Sequence, residues 1–363
     1  MSALAGRAGR VVSAVAIGAA VGTAIVVLLA ALVALAGYDA GRALTAIWSG
    51  SLGSVQAIGS ATLVRATPLI LTGLAVSLAF RAGVLNIGAE GQLLAGAAAS
   101  TTVAAAFVHG GLGAIALPAA LIAGALGGGL WAALPALLRL RYGVLEVIST
   151  IMMNFVALYA VGYLVRGPLQ EPTRIYPQSE SLPDIVRLGM LVPGTRLHWG
   201  FALAIAAAGV LWFVLGHTAA GFRLRASGAN PTAARSAGLI DVGRTTTHAF
   251  LASGALAGLA GAVEVTGVTY ALYENISPGY GYTAIAVALL GGLQPLAVAA
   301  SGVFFGALEA GAGAMQRDAG IPSVLVSVVE ALTILAILGV RRLNDVRVGR
   351  RSVGSAVVPG SAP

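Results

Sequence analysis

The residues with the most chemical capacity gather in one short stretch, Phe80-Arg81-Ala82-Gly83-Val84-Leu85-Asn86-Ile87-Gly88-Ala89-Glu90-Gly91-Gln92. Asn86, Glu90 and Gln92 supply two amides and a carboxylate, groups that exchange hydrogen bonds with a polar solute or with one another. The stretch has two readings. Either it is loosened backbone at membrane depth that lines a cavity and meets a solute, or it is a cytoplasmic turn whose glycines cap helices, with Asn86 as an N-cap. Leu290-Gly291-Gly292-Leu293-Gln294-Pro295 is a rough counterpart in the second half, with Gln294 as its polar side chain. Paired interruptions in two halves of a chain are a pointer to a translocation site.

Glu146, Thr150 and Asn154 fall at i, i+4 and i+8, a single polar stripe on one helix face. Such a stripe either faces water in a pore or hydrogen-bonds a neighbouring helix. Glu264, Glu309 and Glu330 lie inside apolar runs, where an ionised carboxylate is costly and is usually functional or paired.

Several chemistries are excluded. With no Cys there is neither a disulfide, a thiolate metal site nor a Cys nucleophile. All 21 basic residues are Arg, so the Lys of a phosphate-gripping GxxxxGK[ST] loop is missing, and any ATP is hydrolysed by another subunit. GxSxG and HExxH are absent, and His109, His198, His217 and His248 lie near span ends rather than in a cluster, so no enzyme, metal or cofactor is expected. The formal charge of +8 is spread over short loops without a basic stripe or aromatic platform, so it reads as a topology signal and not as nucleic-acid binding.

The elements that must position these residues are membrane helices. Apolar residues make up 58% of the chain and charged ones 9%, against roughly 25% charged in a soluble domain. The expected fold is all-α, a polytopic transmembrane helix bundle of about ten spans with broken or short helices near 81–92 and 281–295. Apolar runs long enough to cross lipid fall near 11–36, 62–80, 84–108, 114–138, 147–165 and 199–216, then at 247–271, a short one at 281–293, 295–315 and 321–340. The first run follows Arg7 and Arg10 and is longer than the apolar core of a cleaved leader, so it is read as a membrane helix. The glycine pairs Gly124/Gly128, Gly254/Gly258 and Gly302/Gly306 have the spacing of tight helix packing.

A cytoplasmic amino terminus places Arg81, Arg139, Arg141, Arg223, Arg225, Arg235, Arg244 and the Arg341 to Arg351 cluster on the inner side, as the positive-inside rule requires. Residues 166–198, with Pro168, Pro172, Pro177, Pro183 and Pro193, form the main outer loop. The expected division is an N-terminal helix and outer connection at 1–60, a membrane core at 61–340 containing that loop and a cytoplasmic loop at 217–246, and a cytoplasmic Arg-rich tail at 341–363.

In the cytoplasmic loop, Asn230 suits an N-cap, Pro231 the first helical position and Gly238 the left-handed residue that ends a helix. Two turns are too few to be stable alone, so this helix must pack on the bundle or on another protein. The loop resembles the coupling helix of ATP-binding-cassette importers, with Ala233-Ala234 and Gly238 fitting the Ala-Ala and Gly of that pattern. Phe80 to Gln92, Glu146 to Asn154, Gly254 to Ala262 and Ala286 to Gly292 add to it in matching order. Together they resemble the branched-chain amino acid and simple-sugar permease superfamily over about residues 60–340, nearest its nucleoside-uptake branch. Thr232 stands where other importer classes have Glu, and 166–198 matches no recognised pattern.

The resemblance implies a permease subunit in the cell (inner) membrane with both termini cytoplasmic. It would work with a second homologous permease, an ABC ATPase subunit and an extracytoplasmic substrate-binding protein, in a lipid bilayer, to carry a small-molecule substrate. Asn86, Glu90, Gln92, Glu146, Thr150, Asn154, Glu264 and Gln294 are then the candidate pathway residues. Arg225, Asn230, Pro231, Ala233, Ala234 and Gly238 are the candidate ATPase-coupling residues. The alternatives are an ABC permease for simple sugars or another small polar solute, an ion-coupled secondary transporter with Glu90, Glu264 or Glu309 as proton sites, and a membrane scaffold with no solute path.

Overall fold

Apolar runs of this length have no water with which to satisfy their amides in lipid, and the helix is the solution that keeps every backbone hydrogen bond within the segment. The structure is a computed structural model and describes residues 26–238 and 240–328, together with 23, 331 and 332. In chain order its helices are α1 Val26–Leu35, α2 Ala40–Ser51, α3 Val55–Arg81, α4 Ala89–His109, α5 Gly113–Tyr142, α6 Glu146–Arg166, α7 Gly200–His217, α8 Ala219–Ala229, α9 Pro231–Ser236, α10 Val242–Glu264, α11 Tyr280–Leu290 and α12 Pro295–Ala319. Seven described helices are long and apolar enough to span a bilayer, namely α3 to α7, α10 with its continuation to Thr269, and α12. The fold is an all-α polytopic bundle.

The apolar runs locate the helices, and capping side chains shift their ends. The helix expected from 62 begins at Val55, where Ser54 Oγ accepts from Ala57 N at 3.0 Å, and passes through a π segment, Ile58–Thr62. The run expected from 247 begins at Val242, because Asp241 Oδ1 accepts from Arg244 N at 2.9 Å. It ends in a second π segment, Val265–Thr269. The run expected from 84 begins only at Ala89. The last run is helical at 324–328 and at 331 and 332. Residues 329–330 and 333–340 of that run, Glu330 among them, the Arg341 to Arg351 cluster, Arg7, Arg10 and the start of the first run lie outside the described residues.

Two compact units are present, and residues 50–310 form the larger. There α3 and α10 are buried over most of their length, whereas α5, α6 and α7 leave apolar faces uncovered, with Leu126, Leu130, Phe155, Val210 and Phe213 exposed. That is the pattern of a packed centre with a lipid-facing rim. The glycine pairs of α5 and α10 meet one another: a Cβ on Gly128 would stand 2.5 Å from Gly258 Cα. Backbone-to-backbone approach of this kind is how helices gain van der Waals contact where lipid removes the hydrophobic drive. In the second unit, the described parts of 1–49 and 311–363, α1 and α2 bury Leu29, Val33, Ala43 and Ala46.

The proline-rich loop is folded. Its one described helical turn is Asp184–Val186, and Leu182, Val186, Leu188 and Leu197 are buried. Leu182 N and Leu188 N donate to Tyr270 O and Thr266 O at 2.7 and 2.8 Å, and Arg187 lies over the Tyr270 ring at 4.5 Å. His198 ends the loop fully buried, its Nδ1 accepting from Gly200 N at 3.2 Å. Burial and, secondarily, the Arg196 charge lower its imidazolium from 6.5 to about 4. The open segment therefore binds a proton that the folded segment refuses, so folded-loop stability falls as pH drops from about 6.5 to about 4. Hydrogen exchange over 182–198 should show protection declining across that window, and His198→Asn should flatten the decline; an equally steep decline in the variant would contradict the assignment.

Candidate solute-pathway site

Helix α3 stops because Gly83, at φ +77°, turns the chain out of it. Gly83 N donates to Phe80 O at 3.1 Å and Val84 N to Ala79 O at 3.0 Å, which satisfies the last carbonyls in a Schellman arrangement. Val84 then buries itself against Ala132, Ala136 and Phe250. Residues 84–87 run without helical hydrogen bonds before α4 begins at Ala89.

Asn86 fills the gap that this break leaves. Its Oδ1 accepts from Gly88 N at 2.9 Å and from Gln92 Nε2 at 3.0 Å, while its Nδ2 donates to Gln92 Oε1 and Ser253 Oγ, both at 2.9 Å. Ser253 Oγ in turn donates a hydrogen bond to Ala75 O at 2.7 Å. Asn86 is therefore no helix N-cap: Gly88 occupies that position, and the Asn86 amide ties the break to Gln92 and to α10. Asn86 is 0% and Gln92 1% exposed, so these two amides face the protein interior, whereas Gly83 and Leu85 of the same segment are exposed.

A second set of bonds holds α11 and α6 to the same break. The buried Glu90 carboxylate accepts from Gly281 N at 2.7 Å, and the Ser277 hydroxyl also bonds it. The carboxylate oxygens thus lie at the free amides that open α11. Asn154 Oδ1 accepts from Gly91 N at 2.8 Å, and its Nδ2 donates to Ile87 O at 3.0 Å and Tyr282 Oη at 3.4 Å. Thr150 is fully buried, and a Cβ on Gly88 would stand 3.0 Å from Thr150 Cβ. Glu146 accepts from Leu85 N at 3.4 Å and pairs with Arg139 Nε at 3.3 Å. The Glu146 to Asn154 stripe thus faces a neighbouring segment, the break itself.

The structure brings Asn86, Glu90, Gln92, Glu146, Thr150 and Asn154 together and leaves two candidates elsewhere. Glu264 is buried at the far end of α10, within reach of the charges of Arg65 and Arg196. Gln294 is exposed in the turn before α12. That turn reaches the break through the Leu293 carbonyl, which accepts from Ser77 Oγ at 2.8 Å and Arg81 Nε at 2.6 Å. Sequence reasoning missed Ser253, Ser277 and Tyr282. Ser277-Pro278-Gly279 is a helix-start signal that marks Ser277, whereas Ser253 carries none.

The 217–246 loop has the expected caps. Asn230 Oδ1 accepts from Ala233 N at 3.0 Å, Pro231 takes the first helical position, and Gly238 has φ +71°. Of the alanine pair only Ala234 is buried, and Ala233 is presented outward. Arg225 lies half-buried on α8, a helix the sequence reading left as loop, begun by Thr218 Oγ1 accepting from Gly221 N at 3.1 Å.

Membrane helices broken around a buried polar network, beside an exposed capped helix, define a multi-pass membrane permease. The chain belongs to the branched-chain amino acid transport system permease component family, whose model matches residues 58–338, and it is an ATP-binding-cassette importer permease. It is 41% identical over 305 residues to a guanosine ABC transporter permease protein of Bacillus subtilis, covering 83% of this chain and 86% of that one. It is 40% identical over 300 residues to a glucose ABC transporter permease protein of Haloferax volcanii, covering 79% and 77%. A nucleoside ABC transporter permease protein of Lactococcus lactis is 33% identical over 321 residues, covering 85% and 87%. No solved structure matches.

Because the network is closed, truncating one member strands the others. Asn86→Ala should cost about 1–3 kcal/mol for the buried groups left unpaired, read as a lower melting temperature in detergent. Glu90→Gln keeps an acceptor for Gly281 N and should retain more stability than Glu90→Ala. Equal melting temperatures for the two Glu90 variants would remove the role given to that hydrogen bond.

Proposed function

We propose that this chain is the membrane-spanning subunit of a nucleoside importer, moving its solute by alternating access driven by separate ATPase subunits. The similarity to the guanosine permease, maintained over most of both chains, carries the reading. A nucleoside is a dense set of hydroxyls, ring nitrogens and exocyclic amines, and amide and carboxylate groups match such donors and acceptors. In this reading Asn86, Glu90, Gln92 and Asn154, with Glu146 and Thr150 beside them, exchange bonds within the protein for bonds to the solute as the break opens. Glu264 and Gln294 lie further along the path.

The permease core is residues 61–340, preceded by an N-terminal helix and connection and followed by a cytoplasmic Arg-rich tail. Both termini face the cytoplasm, which puts α9 on the side where ATP is available. Arg225, Asn230, Pro231, Ala233, Ala234 and Gly238 build the contact with the ATPase subunit, and ATP hydrolysis belongs to that partner. A second homologous permease completes the pore, and an extracytoplasmic binding protein delivers the solute to the 166–198 side. The 40% identity to the glucose permease favours a second reading, in which the solute is a simple sugar.

Uptake of labelled guanosine and labelled glucose by the assembled importer in vesicles separates the two. Guanosine uptake that needs ATP, survives a protonophore and is not displaced by glucose is expected. Glucose as the transported solute would replace the nucleoside reading, and uptake abolished by a protonophore but indifferent to ATP would overturn the importer reading. Replacing Ala233 with Trp should cut uptake and transport-coupled ATP hydrolysis together; normal values of both would remove the coupling role of α9.

A further inference from the structure

Helix α8 meets the first interruption through bare backbone. A Cβ on Gly228 would overlap the Arg81 carbonyl and stand 2.9 Å from Gly83 N, and a Cβ on Gly83 would stand 3.1 Å from Gly228 Cα. No flexible side chain cushions this contact, so α8 cannot advance without moving the Arg81–Gly83 turn. Close-packed protein transmits such displacements because it compresses little. Asn230 both ends α8, its N donating to Ala226 O at 3.2 Å, and caps α9, so the two short helices share one joint just beyond Gly228.

Arg81 faces the other way as well. While its carbonyl lies against Gly228, its Nε donates to Leu293 O at 2.6 Å, and Ser77 Oγ donates to the same oxygen at 2.8 Å. Gly292 and Leu293 both have φ +59°. Left-handed backbone at a leucine is costly and persists only where its surroundings hold it. One residue therefore touches the loop helix through its carbonyl and the second helix interruption through its guanidinium. At the same contact the Ser227 hydroxyl is buried without a hydrogen-bond partner. Leaving a buried hydroxyl unpaired is unfavourable, which fits a contact that has a second arrangement in which the group is satisfied.

We infer that Gly228, Gly83 and Arg81 form the joint through which movement of α9 enters the membrane core and reaches both helix interruptions at once. These are positioning residues: none contacts solute, and each acts by displacing the Asn86 to Gln92 break or the 291–294 turn. The inference rests on the importer reading above. It adds that the drive divides at Arg81, with the carbonyl arm serving one interruption and the guanidinium arm the other.

The test uses the complete importer, with its ATPase and binding-protein partners, reconstituted in vesicles and normalised to assembled complex. Gly228→Ala should keep basal ATP hydrolysis while lowering guanosine uptake per ATP about tenfold, within the usual range of coupling between sites. Arg81→Gln removes only the guanidinium arm and should lower the same ratio less, which keeps the inference testable if Gly228→Ala does not assemble. Gly221→Ala is the control, because Gly221 packs against the Leu215 backbone at the opposite end of α8. It should reduce assembly but leave the ratio of the assembled fraction unchanged. Wild-type ratios in Gly228→Ala or in Arg81→Gln would overturn the joint, as would a ratio in Gly221→Ala lowered as far as in Gly228→Ala. A wild-type complex without ATP-dependent uptake would instead sink the importer reading beneath it.

Discussion

Lipid offers no hydrogen bonds, so every amide released from a membrane helix must find its partner within the protein. The chain leaves helix between Ala82 and Gly88 and meets that demand with side chains borrowed from distant elements. Asn86 and Gln92 pair amide to amide, Ser253 joins them to α3 and α10, Asn154 reaches in from α6, and Glu90 receives the start of α11. Five helices are thus fixed to one short segment by directional bonds and not by greasy contact alone. Such a network is rigid when complete and fails as a unit when a member is displaced. In the proposed transport cycle both properties suit a segment that alternates between shut and open.

The same constraint bears on where movement would enter in the proposed coupling. The network is buried among α3, α4, α6 and α10, whereas the turn that begins it is partly exposed. Gly83 and Arg81 stand at the edge of the bundle, where α8 rests on them through Gly228. In the proposed coupling, the exposed side of α9 is the outermost link of a short chain, from Ala233 through Asn230 and Gly228 to Arg81. Family membership gives this geometry its context, since an importer permease must translate an event outside the membrane into a change inside it.

Local chemistry was legible in the sequence and long-range pairing was not. Asn230, Pro231 and Gly238 act on residues within one turn, so their capping roles could be read directly and the structure has them. Asn86, Glu90 and Gln92 stood out as polar groups in an apolar chain. Their partner Ser253 lies 167 residues from Asn86 and resembles any other helix serine. The two helices α8 and α10 show the complementary failure. Arg223, Arg225, Ser227 and Gly228 give α8 no apolar stripe, and Asp241 starts α10 before its apolar run begins. Gln294 was singled out because an amide side chain is visible in a sequence. The group that joins its turn to the break is the Leu293 carbonyl, which belongs to every residue type alike.

The most direct test of this account is hydrogen exchange at the backbone amides of residues 82–92 in the assembled importer, compared between the resting state and a state trapped during ATP hydrolysis. The closed network predicts strong protection at rest and a marked loss of it, confined to this segment and the 291–294 turn, when the complex is trapped. Equal protection in both states would mean that the break is a fixed structural element and that transport proceeds without opening it.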